Sequence, residues 1–269
     1  MRSSRLFCSY VYFIVLLLCA PSAFADEILV SAASSLTDAF QEIGTAFQKT
    51  NPGKAVRFNF GASGAVLQQI RQGAPVDIFA SASPKEMDLL AKEGRLLVPT
   101  RHNFTGNRLV LIVPAKQVMP NIRQWEDLKW SGVNRIALSN PASVPSGHYA
   151  REVLIKRGVW DSIQQKAILG ENVRQALTYV AGGNVDAGIV FATDAKSEAK
   201  RVRVIQQATP DKDHAHILYP VAVLKAAPNP GLSRLFIVFL MGPKAQAILQ
   251  RYGFASPNQT PPSTKQRPK

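Results

Sequence analysis

Strand-like and helix-like hydrophobic periods alternate along this chain almost from its start, and that alternation restricts it to one broad architecture. Val56, Phe58 and Phe60 recur at every second residue, whereas Leu36, Ala39, Phe40, Ile43 and Phe47 recur at helical spacing. Val66, Leu67 and Ile70 form another helical stripe, and residues 76–80 read as a short buried strand. Ser83-Pro84-Lys85-Glu86 reads as a capping box with proline at the first helical position, and Gly94 as the stop of that helix. This β-α-β-α-β order calls for parallel strands covered by helices. The pattern continues with strands at 109–113, 136–138, 188–191 and around Tyr219, Val221 and Val223. Helices are expected over 147–157 before Gly158, after Asn172 through Val180, and near 232–241 and 244–252. With no internal repeat and no long linker, an α/β chain of this length divides into two lobes joined by short crossovers.

The first residues belong to a leader rather than to the fold. Arg2 and Arg5 precede an apolar run, Val11–Ala20, that is too short to span a bilayer, and Ala23-Phe24-Ala25 forms an A-x-A cleavage site. The mature chain is therefore expected to begin at Asp26, in the periplasm. Both cysteines, Cys8 and Cys19, fall inside the leader, so no disulfide or thiol chemistry is expected. Leu18 ahead of Cys19 speaks against lipid attachment there. The chain carries 32 basic and 18 acidic residues, a net charge of +14. The basic residues are scattered singly, as at Lys85, Lys92, Arg95, Arg101 and Arg108, and no nucleic-acid-binding motif accompanies them. A solvated basic surface that raises the encounter rate with anions fits this scatter better than a nucleic-acid partner. The Pro-rich tail, residues 257–269, is expected to be disordered.

Two serines carry the functional reading. Ser35 and Ser63 each stand where a strand pattern meets a helix pattern. A serine there either caps the helix or offers a hydroxyl beside free backbone N–H groups at the positive end of the helix dipole. Pro145-Ser146-Gly147 and Asn172-Val173 have the same context. Ligands of open α/β sheets bind beyond the carboxyl ends of the strands, so four such turns could form one anion cradle. Other chemistries fit less well. Gly61-Ala62-Ser63-Gly64-Ala65 does not match the G-x-S-x-G elbow of a serine hydrolase, and no acid–histidine pair accompanies it, so no catalytic residue is expected. His214 and His216, with Asp211 and Asp213, offer an alternative of a different class, a divalent-metal site.

The sequence resembles the periplasmic molybdate-binding proteins of bacterial ABC importers. The likeness runs from about Asp26 to Phe254. It is carried by Ala33-Ser34-Ser35-Leu36-Thr37, Gly73-Ala74-Pro75-Val76-Asp77-Ile78-Phe79, Gly106-Asn107-Arg108-Leu109-Val110, Val144-Pro145-Ser146-Gly147, Glu171-Asn172-Val173-Arg174, Gly188-Ile189-Val190-Phe191 and Arg251-Tyr252-Gly253-Phe254. It implies a two-lobed periplasmic binding protein fold of type II, with a mostly parallel sheet in each lobe and the ligand in the cleft between them. Lobe I would comprise 26–105 and 218–256, and lobe II 106–217. The ligand would be molybdate, and tungstate with it. The partner would be the membrane permease, with no cofactor and a monomeric protein. By the same resemblance, Ser35 and Ser63 match the serines that bind the oxyanion through hydroxyl and N–H. Ser146 falls where an alanine N–H often donates, Val173 where a valine N–H donates, and Phe191 where a tyrosine hydroxyl often donates. The exchange at the last position leaves two readings open: the Ser146 hydroxyl replaces the missing tyrosine hydroxyl, directly or through a water, or Ser146 donates only its backbone N–H while its side chain caps the helix. The same fold could instead hold sulfate, phosphate or an organic acid.

Overall fold

The computed structural model describes residues 26–116 and 120–256. The expected leader, both cysteines and the tail from Pro257 lie outside them.

The chain forms two five-stranded sheets, each flanked by helices. The first sheet contains β1 (Asp26–Ala33), β2 (Lys54–Gly61), β3 (Ile78–Ala80) and β4 (His102–Gly106). The second contains β5 (Leu109–Pro114), β6 (Ile136–Ser139), β7 (Ala167–Gly170), β8 (Ala187–Phe191) and β9 (Val202–Gln207). The chain then returns, and β10 (Leu218–Val223) inserts between β3 and β4 of the first sheet. The strand orders are β2-β1-β3-β10-β4 and β7-β6-β8-β5-β9. The chain thus crosses between sheets at 107–108 and again over 208–217. After the last helix, Ala255 pairs with Gly106 beside the first crossover through reciprocal backbone bonds of 2.8 and 2.9 Å.

The fold class expected from the alternating periods is the one observed, with one feature that the alternation did not convey. β1 is parallel to β2 and β3, and β6 is parallel to β7 and β8. β10, however, runs antiparallel to both its neighbours, and β5 does the same in the second sheet. These are the strands on which the chain enters a sheet after crossing from the other one, so no right-handed crossover helix fixes their direction.

Helix α1 (Thr37–Thr50) follows β1 through a short 3-10 turn, Ser34–Leu36. Its buried face presents Ala39, Phe40, Ile43, Gly44, Ala46 and Phe47, the stripe legible in the sequence. Phe40 packs against Phe58 and Phe104 at ring distances of 5.8 and 5.7 Å. Helix α2 (Ser63–Arg71) follows β2, and α3 (Pro84–Lys92) follows β3. Ser83 caps α3 by accepting from Lys85 N–H, and Gly94 beyond its end has φ of +66°, the left-handed geometry that suits glycine. In the second lobe α4 (Pro145–Lys156) follows β6, and α5 (Val173–Ala181) follows β7. Asn172 caps α5 by accepting from the N–H groups of Arg174 and Gln175. A short helix α6 (Ala192–Ser197) follows β8. Helices α7 (Pro230–Met241) and α8 (Pro243–Tyr252) complete the first lobe, where Phe236 of α7 meets Phe47 of α1 at 5.3 Å. No single helix among the described residues is long and apolar enough to cross a membrane.

Candidate functional site

Ser35, Ser63, Ser146, Val173 and Phe191 all line one small cavity between the two sheets. All are buried. Ala33, Gly61, Ala82, Val144 and Pro145 supply much of the remaining wall, and no charged side chain lines it. Ser63 is the first residue of α2, Ser146 the second of α4 and Val173 the first of α5. Three helix N-termini therefore face one point, each bringing the positive end of its dipole and the N–H of its own lining residue, Ser63, Ser146 or Val173.

Neither leading serine caps its helix. The residues at the cap positions of α1 and α2 are Leu36 and Ala62, and no side chain caps either helix. Ser63 Oγ instead accepts from Ala82 N–H at 3.0 Å, and Ser35 Oγ lies 2.9 Å from Tyr219 Oη. Ser146 differs. Its hydroxyl donates to Ser139 Oγ at 2.9 Å and caps no helix, an arrangement nearer to the reading in which Ser146 offers a ligand only its N–H. Ser146 then offers the cavity its backbone N–H. Phe191 presents a ring without a polar atom, which rests edge-on against Tyr219 at 5.9 Å.

The two lobes touch around this cavity. Gly64 N–H of α2 donates to the carbonyl of Ser143, just ahead of α4, at 3.1 Å. Arg174 Nη2 on α5 donates to Asp38 Oδ2 on α1 at 2.7 Å, and its Nε lies 2.7 Å from Asp194 Oδ1 on α6. Burial pushes the Asp194 carboxyl up to about 6, against the pull of the neighbouring Arg174. A wider surface cleft on the same seam is lined by Asp38, Arg174, Lys196 and Arg251. Its charges are already engaged: Arg174 by the two aspartates, Arg251 by Glu42, and Lys196 by the Arg251 carbonyl. The smaller cavity, which gathers neutral donors, is the better anion site.

The alternative metal site does not form. His214 is buried with Nδ1 2.6 Å from the Ala215 carbonyl, and burial lowers its pKa. His216 Nε2 points to Asp211 Oδ2 at 3.0 Å, while Asp213 is bound by Arg157 and Thr209 N–H. Each of the four side chains is thus held at one atom by a local partner, although His214 Nε2 is buried without one. No group of three or more His, Cys, Asp or Glu converges among the described residues.

Tyr219, Asn107, Ala82 and Ser143 were not singled out from the sequence. Asn107 stands in one of the motifs that carried the resemblance, but Tyr219 reads there only as an alternating strand residue. Its partner Ser35 is 184 positions away.

A buried-residue cavity between two α/β lobes, with no charged side chain in its lining, defines a ligand-binding protein of the two-lobed type. The chain belongs to the bacterial extracellular solute-binding protein family, which it matches over residues 28–255. It is 38% identical over 240 residues to the molybdate-binding protein ModA of Escherichia coli K12, covering 87% of this chain and 92% of that protein. The ModA protein of Haemophilus influenzae is 36% identical, with 87% and 92% covered. Among solved structures, the periplasmic molybdate-binding protein of Azotobacter vinelandii superposes with a TM-score of 0.77 at 27% identity, covering 86% of this chain and 99% of that one. The sulfate-binding protein SubI of Mycobacterium tuberculosis shares the fold, with a TM-score of 0.74 at 19% identity, covering 87% and 88%.

Proposed function

We propose that this protein captures molybdate, and tungstate with it, in the cavity around Ser35 and Ser63, and delivers it to the membrane permease of an ABC importer. The observation that carries the reading is the convergence of neutral donors on one cavity that no charged side chain lines. A tetrahedral oxyanion without protons offers acceptors alone. Burying it is costly unless its oxygens all receive hydrogen bonds, and such charge-assisted bonds are the strong ones. The hydroxyls of Ser35 and Ser63 and the N–H groups at the starts of α2, α4 and α5 supply donors without a counter-charge. Selection against sulfate then comes from size, because a smaller anion cannot reach all the donors together. A protonated phosphate would also need an acceptor for its own proton, and no carboxylate lines the cavity.

The relatives named as molybdate-binding proteins support this reading. The binding residues are Ser35, Ser63, Ser146, Val173 and Phe191, the first two through hydroxyl and N–H, Ser146 and Val173 through N–H, and Phe191 as apolar wall. The lobes comprise 26–106 with 218–256, and 107–217, one residue past the expected boundary because Gly106 ends β4 of the first sheet and pairs with Ala255. The protein acts as a monomer in the periplasm after removal of residues 1–25, and performs no chemistry on its ligand. Native mass spectrometry after incubation with equal amounts of molybdate, tungstate, sulfate and phosphate tests the ligand. Adducts of molybdate and tungstate are expected, and a dominant sulfate or phosphate adduct would overturn the assignment.

A further inference from the structure

Asn107 occupies the first crossover between the lobes, and three hydrogen bonds fix its amide. Its Oδ1 accepts from Arg108 N–H at 2.9 Å. A backbone N–H can only donate, so the oxygen must face it and both Nδ2 protons must point elsewhere. They reach Thr193 Oγ1 at 2.9 Å and Tyr219 Oη at 3.1 Å. Tyr219 Oη therefore accepts from Asn107. Its own proton, which burial keeps in place by raising the phenol pKa well above its ordinary value, is left for Ser35 Oγ. Ser35 Oγ is then an acceptor on its protein side. Tyr219 is its one side-chain hydrogen-bond partner among the described residues, so the Ser35 proton is free to turn toward the cavity that Ser35 lines.

We propose that Asn107 and Tyr219 are positioning residues for anion capture, a one-way donor chain that aims the Ser35 hydroxyl at the bound oxyanion. The proposal rests on Ser35 being a ligand of that anion. Ser63 reaches the same state by a shorter route, because Ala82 N–H occupies its oxygen. Both hydroxyls are thus committed as acceptors toward the protein and as donors toward the cavity. In a chain of this kind each bond polarises the next, which strengthens the last donor at the point where negative charge is to be held. The chain also straddles the lobes, since Asn107 ties Tyr219 of β10 to Thr193 of α6.

Tyr219→Phe tests the chain because it keeps the ring that packs on Phe104, Phe191 and Phe254 and removes the hydroxyl. Molybdate affinity is measured by calorimetry for wild type, Tyr219→Phe, Ser35→Ala and the double variant, with ligand-free melting curves as the check on folding. Tyr219→Phe should weaken binding about tenfold, and the double variant should bind within about twofold of Ser35→Ala, the signature of one coupled unit. Asn107→Asp supplies an independent route. Its carboxylate would accept from Tyr219, whose oxygen would then take the Ser35 proton, so the loss should exceed that of Tyr219→Phe. Wild-type affinity in Tyr219→Phe overturns the proposal. So does a Tyr219→Phe penalty that persists in full without the Ser35 hydroxyl, because Tyr219 would then act on the fold and not through Ser35. If Ser35→Ala itself binds like the wild type, the assignment of Ser35 as a ligand fails first, and the two failures are told apart.

Discussion

The N–H of Gly64 donates to the carbonyl oxygen of Ser143 at 3.1 Å, backbone against backbone across the cleft. The approach leaves no room for a side chain: a Cβ on Gly64 would stand 2.3 Å from that oxygen. Gly64 lies in the first turn of α2 and its φ is not positive, so glycine is required there by closeness and not by backbone conformation. Alanine favours a helix over glycine by up to about 1 kcal/mol, so Gly64→Ala does no harm to α2 itself. It should nevertheless block closure and weaken molybdate binding by at least about tenfold, or about 1.4 kcal/mol. Solution scattering with and without molybdate checks this, with compaction expected for the wild type and absent in the variant.

Asp194 makes the stability of the ligand-free protein respond to pH. The folded carboxyl titrates at about 6, held up by burial, with Arg174 as its opposing cation and Asp38 beyond it. In the unfolded chain the same group titrates at about 3.9. Between these values the folded state holds more protons than the unfolded state, so acidification from pH 7.5 to pH 5 favours folding through this group. Wild type should therefore gain melting temperature relative to Asp194→Asn over that interval. A constant gap between the two melting curves would show that Asp194 is charged throughout.

Ser146 gives a prediction that separates its side chain from its backbone. Its hydroxyl is spent on Ser139 Oγ, so Ser146→Ala should bind molybdate within about twofold of wild type while losing about 1 kcal/mol of stability, the usual net worth of one hydrogen bond. Denaturant unfolding and calorimetry on the same sample measure both. A tenfold loss of affinity with unchanged stability would instead mean that the hydroxyl turns into the cavity when the anion binds.

Much of the wall of the site was legible in the sequence because its residues stand at a strand end, as Phe191 does, or in the turn between a strand and the next helix, and local periodicity locates both. Ser63, Ser146 and Val173 stand at helix starts that the hydrophobic stripes and Asn172 announce. What orients these groups was not legible. Tyr219 reaches Ser35 across 184 positions, and Arg174 reaches Asp38 across 136. No local period encodes such pairs, and they exist because β10 returns to the first sheet and the lobes meet. The capping role open to Ser35 and Ser63 also fails for a tertiary reason, since Tyr219 and Ala82 N–H reach their oxygens. For Ser146 the sequence left open whether the hydroxyl serves the cavity or the protein, and Ser139, at the end of β6, lies close enough to take it. The direction of β5 and β10 was hidden for the same reason, because it depends on how the chain crosses between lobes.

Neutral hydroxyls and N–H groups, without a counter-charge, should hold molybdate in preference to a smaller dianion. Calorimetric titration of the mature protein with molybdate and with sulfate, repeated on Ser35→Ala and Ser63→Ala, tests it most directly. Molybdate should bind at least about a thousandfold tighter than sulfate, roughly 4 kcal/mol. Each alanine should remove about 1–3 kcal/mol of molybdate binding, the range for a hydrogen bond to a charged group. Sulfate binding comparable to molybdate, or undiminished molybdate binding in both variants, would contradict the account.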